Sequence, residues 1–84
     1  MRPPQLLDVV ALLHPVPYEA LQLADERYEL SAGLAVGTVG TVVEICQEQT
    51  GLVAYLIEFS DSSGCGYAFA TLPAGALLVL HYTP

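Results

Sequence analysis

The chain has no lysine and no tryptophan, and its two arginines, Arg2 and Arg27, stand 25 positions apart in 84 residues. A phosphate backbone is held by several Lys or Arg side chains acting together, so this is a poor surface for nucleic acid. An anionic membrane is disfavoured on the same ground. No Gly-Lys-Ser or Gly-Lys-Thr sequence occurs to cradle a phosphate, and no glycine fingerprint precedes a helical pattern as dinucleotide binding requires. Two cysteines, Cys46 and Cys65, are too few for a disulfide framework. A bridge between them needs two strand ends to meet. The two histidines and two cysteines are scattered without ligand spacing, so no metal or other cofactor is expected.

With so little positive charge, nine carboxylates give a formal net charge of −7. That charge keeps the chain soluble and favours encounters with basic partners. Hydrophobic residues make up 54% of the sequence and charged ones 13%, where an ordinary soluble domain is about one-quarter charged. A domain this small buries only about two-thirds of the surface its unfolded chain exposes. The apolar surplus must therefore lie in a groove or against another chain, and a second copy is the commonest solution.

Leu6 to Leu13 is apolar but is broken by Asp8 and followed by His14-Pro15 without a small-residue cleavage site. No targeting signal is read there, and a cytoplasmic location is expected. The stretch from Ser62 to Pro84 carries no formal charge, long enough to raise the question of a membrane span. Gly64, Gly66, Pro73 and Gly75 and a strand-like alternation argue against one.

The local pattern is that of one all-β domain over residues 1–84. Leu6 to Leu13 is the first strand, ended by Pro15 and Pro17, which cannot donate to a ladder. Gly33, Gly37 and Gly40 bend the chain into a second strand over Val39 to Cys46. Gln47 to Gly51 makes a hairpin into a third strand, Leu52 to Phe59, with Val53, Tyr55, Ile57 and Phe59 on one face and Glu58 on the other. Ser60 to Gly64 is a second turn, Tyr67 to Leu72 a fourth strand of undecided buried face, and Leu77 to Tyr82 a fifth after the turn at Pro73-Ala74-Gly75. Five short strands with a long connection after the first fit a small five-stranded SH3-like barrel, in which first and last strands pair antiparallel. The connection is rich in helix formers from Glu19 to Leu30 and is expected to be partly helical, with Leu21, Ala24, Tyr28 and Leu30 on one side.

Leu7-Asp8-Val9-Val10-Ala11-Leu12-Leu13, Val39-Gly40-Thr41-Val42-Val43-Glu44, Tyr55-x-x-Glu58-Phe59 and Tyr67-Ala68-x-x-Thr71-Leu72 together resemble a family of short bacterial domains of unknown function. The resemblance spans most of the chain outside Tyr18 to Leu30 and implies a fold rather than a chemistry. Gly37 to Ile45 is also similar to the KOW motif of transcription and ribosomal SH3-like domains, without the basic residues that accompany that motif.

Nucleophilic catalysis needs a base beside the nucleophile, and antiparallel pairing of the end strands puts His14 and His81 at opposite ends. A non-enzymatic protein-interaction module or small accessory subunit is the function expected, as a homo-oligomer or as an acidic partner of a basic protein. Its partner-binding residues are sought in the long connection: Tyr18, Leu21, Leu23, Asp25, Glu26, Tyr28 and Glu29. A KOW-like nucleic-acid module, and a small ligand-binding barrel using Cys46 or Cys65, are the alternatives.

Overall fold

The computed structural model describes residues 3–24, 33–61 and 63–81. These residues form β1 (Val9–Leu12), β2 (Gln22–Leu23), β3 (Val39–Gln47), β4 (Val53–Ser60), β5 (Gly66–Pro73) and β6 (Leu77–His81). They make one antiparallel sheet of six strands in the order β2-β5-β4-β3-β1-β6. The protein is all-β and barrel-like: inward side chains from along the sheet converge on a single core of Val10, Leu12, Val42, Tyr55, Ile57, Phe59, Ala68, Ala70 and Leu77.

Alternation explains most of this core. On β4, Tyr55, Ile57 and Phe59 are buried while Leu56 and Glu58 lie on the opposite face, as the period of two requires. On β5 the even positions Ala68 and Ala70 face inward, and their small side chains leave room for Phe59, which is wholly buried. The β3 pattern changes at Val43, an extra residue between the pairs Val42↔Ile57 and Glu44↔Leu56. Such a bulge sharpens the local twist and helps a single sheet curl over its own core.

Strands β1 and β6 pair antiparallel, from Leu12↔Leu77 to Val9↔His81. His14 therefore follows the end of β1 next to Leu77, and His81 pairs at the other end. Cys46 sits opposite Ala54 at the start of β4, whereas Cys65 lies beside the β4–β5 turn. About six residues of strand, roughly 20 Å, separate those positions, and both thiols are free.

The sheet has six strands where the sequence suggests five, and the described part of the connection is not an α-helix. Tyr18–Ala20 is one 3₁₀ turn, and the chain then extends into β2, which pairs Gln22↔Phe69 and Leu23↔Ala68. The local sequence favours helix, but these hydrogen bonds to β5 and the burial of Leu21 and Leu23 against the core outweigh a propensity of tenths of a kcal/mol per residue. Residues 25–32, where the rest of the expected helix falls, lie outside the described residues.

The first strand is also shorter than its apolar run. Gln5 to Asp8 folds into a turn, with the Asp8 N–H donating to the Gln5 carbonyl at 3.0 Å and Asp8 Oδ2 accepting from the Gln5 N–H at 2.8 Å. The Asp8 carbonyl accepts from Val42 N–H at 3.0 Å, and its side chain is fully buried. The charge that interrupts the run is thus a structural turn residue.

Candidate functional site

The long connection leaves and rejoins the sheet at one point. Val16 and Leu34, both buried, exchange two backbone hydrogen bonds of 2.9 and 2.8 Å. Gly33, at φ +73°, fits beside this bridge because it has no Cβ: a methyl there would collide with the Val16 carbonyl oxygen. The outgoing arm crosses to β5, where β2 and the Ala24 N–H, donating to the Tyr67 carbonyl at 2.9 Å, hold it in place.

The arm and the outward face of β4 and β5 enclose a shallow groove of about 200 Å³, lined by Glu19, Ala20, Leu21, Gln22, Leu56, Phe69, Ala70 and Thr71. Leu56 and Phe69 are half-buried and supply its apolar floor. Opposite residues of an antiparallel pair share a face, so the register gives their neighbours: Thr71 and Glu44 flank Leu56, and Gln22 and Glu58 flank Phe69. Carboxylates therefore stand at Glu19 on the arm and at Glu44 and Glu58 across the strands. Glu58 leans over Gly66, where a Cβ would lie 2.8 Å from its Oε2. Among the described residues there is no Lys or Arg to neutralise them.

The residues sought as partner contacts divide three ways. Leu21 lines the groove and also touches the core. Tyr18 is exposed on the 3₁₀ turn, whereas Leu23, opposite Ala68, packs against the core. Asp25, Glu26, Tyr28 and Glu29 lie outside the described residues. Sequence reasoning missed Leu56, Phe69 and Thr71. Only Leu56 carried a signal, an apolar residue on the outward phase of the alternating strand β4; β5 is apolar on both phases and gave none for Phe69.

A second apolar surface lies on the outward face of β3, β1 and β6. Val39, Ala11 and Leu78 form one cross-strand row, with Leu13 and Leu80 on the same outward phase. Val39, Leu13, Leu78 and Leu80 are each 42–51% exposed. No charged residue is among them.

Among the described residues no three His, Cys, Asp or Glu side chains converge as a metal site would require, and no helix is long and apolar enough to cross a membrane. The fold and these two surfaces define a small all-β, barrel-like domain. The chain belongs to the family described as Domain of unknown function (DUF4926), whose model matches residues 6–79. That range runs from the turn before β1 into β6 and takes in the arm. No curated protein and no solved structure matches the chain.

Proposed function

We propose that this chain is a non-enzymatic protein-interaction module with an SH3-like barrel, working as a homodimer or as a small subunit beside a larger protein. Support for the SH3-like architecture comes from the pairing of the first and last long strands, the long connection after the first, and the single 3₁₀ turn at Ala74–Ala76 before the last.

The observation that carries the association is the charge-free row Val39–Ala11–Leu78 with its neighbours Leu13 and Leu80. Two copies of net charge −7 repel, so they meet most favourably where neither presents a carboxylate. The exposed apolar groups at the β3–β4 hairpin do not make such a row, because Leu52 stands opposite Glu48 while Ile45 and Val53 lie on the other, core-side phase. Burying the exposed half of four aliphatic side chains is worth about 1 kcal/mol each, hence roughly 8 kcal/mol for two copies. Association costs about 4–15 kcal/mol, so the homodimer is weak and concentration-dependent.

Sedimentation across a concentration series tests this. The wild-type chain is expected to gain mass with concentration, and the Leu78→Glu/Leu80→Glu double variant to stay monomeric. A wild-type chain that is monomeric at every practical concentration removes the self-association half of the proposal.

A further inference from the structure

We propose that the groove between the arm and the outward face of β4–β5 is a second, separate binding site, and that it takes an extended, lysine- or arginine-bearing segment of a partner protein. It does not rest on self-association, since it shares no residue with the Val39–Ala11–Leu78 face.

Three observations choose the occupant. The floor, Leu56 and Phe69, is half-buried and apolar, so it gains from covering by an apolar side chain. Glu19 lines the groove, and the register sets Glu44 opposite Leu56 and Glu58 opposite Phe69 on the same face; among the described residues there is no Lys or Arg to offset these three carboxylates. A ligand that alternates apolar and cationic groups is complementary to this arrangement, and a polyanion is repelled by it. At about 200 Å³ the groove is smaller and shallower than the enclosed clefts of roughly 300–1,000 Å³ that hold small molecules. An extended peptide meets these requirements, because its side chains alternate with the same period as the strands beneath it.

The experiment is an NMR titration of the full chain with a short synthetic peptide alternating lysine and leucine. Its controls are the same peptide with glutamate for lysine, and spermine as a cation with no apolar side chains. Saturable shifts are expected on the backbone amides of Leu21, Gln22, Leu56, Phe69 and Thr71 with the lysine peptide alone, weakening as salt rises. The Glu19→Gln/Glu44→Gln/Glu58→Gln variant should bind roughly ten-fold more weakly, the sum of three exposed ion pairs. Ala20→Lys, an exposed change that places a cation in the groove wall, should weaken binding as well and leave the spectrum folded. The proposal is overturned by absence of saturable binding, by shifts confined to Leu78 and Leu80, by unchanged affinity in both variants, or by spermine binding as tightly at the same amides.

Discussion

Gly40 of β3 lies so close to Ile57 of β4 that a methyl group on it would stand 2.5 Å from Ile57 Cγ2. The same methyl would be 2.9 Å from the Glu58 carbonyl oxygen and 3.0 Å from Phe59 Cδ1. Two of these three neighbours are wholly buried core side chains and the third is backbone, so none moves cheaply. Gly40→Ala is expected to destabilise by about 1–3 kcal/mol, a large share of the roughly 4–13 kcal/mol available to a chain this size. Gly75→Ala, where nothing lies within 4 Å and φ is not left-handed, should be near neutral. Paired urea melts of the two variants check this, and equal midpoints would contradict it.

Leu7 is the one described non-glycine residue with positive φ, at +69°. It is 58% exposed, so its side chain gains little from packing while its backbone carries a steric cost of about 1–2 kcal/mol. Its N–H donates to the Val42 carbonyl at 2.7 Å, which holds the turn in this conformation. Leu7→Asn, a residue that tolerates the left-handed region, is expected to raise stability by about 0.5–1 kcal/mol. A lowered thermal midpoint would show that Leu7 has a packing role.

The β4–β5 turn is organised by one oxygen. Asp61 Oδ1 accepts from the Ser63 N–H at 2.9 Å, the Ser63 hydroxyl at 2.7 Å and the Cys65 N–H at 3.0 Å. Asp61→Ala removes the shared acceptor of all three hydrogen bonds and should cost about 1–2 kcal/mol. Asp61→Asn keeps Oδ1 and should lose less than half of that. If both substitutions cost the same, the carboxylate charge rather than the acceptor geometry holds the turn.

The parts legible in the sequence are those that one strand dictates by itself. Tyr55, Ile57 and Phe59 alternate strongly enough to declare a buried face, and Gln47 to Gly51 carries its own turn chemistry, with Gly51 at φ +88°. The face of β5 was not legible, because Tyr67 to Leu72 is apolar on both phases and only the bulk of Phe59 selects the alanine side. Nor was β2: two residues hold no periodicity, and the strand exists only because Phe69 and Ala68 lie opposite it. The groove depends on β2, so its floor residues were hidden for the same reason.

Gly33 couples the arm to the barrel, which gives a prediction about local opening rather than global stability. Gly33→Ala puts a Cβ against the Val16 carbonyl oxygen and forces a left-handed φ on alanine. The two hydrogen bonds of the Val16–Leu34 bridge are the base of the excursion, and loosening them frees the arm while leaving β3 and β4 paired. Hydrogen exchange is expected to accelerate at the Ala24 and Leu21 amides, which donate to Tyr67 and Tyr18, by about ten-fold or more, with the amides of Ile57 and Phe59 little changed. If all amides accelerate together, the bridge belongs to the global unit. If the local pattern holds, the lysine–leucine peptide should also bind Gly33→Ala more weakly, because Leu21 and Glu19 are then no longer held over Leu56 and Phe69.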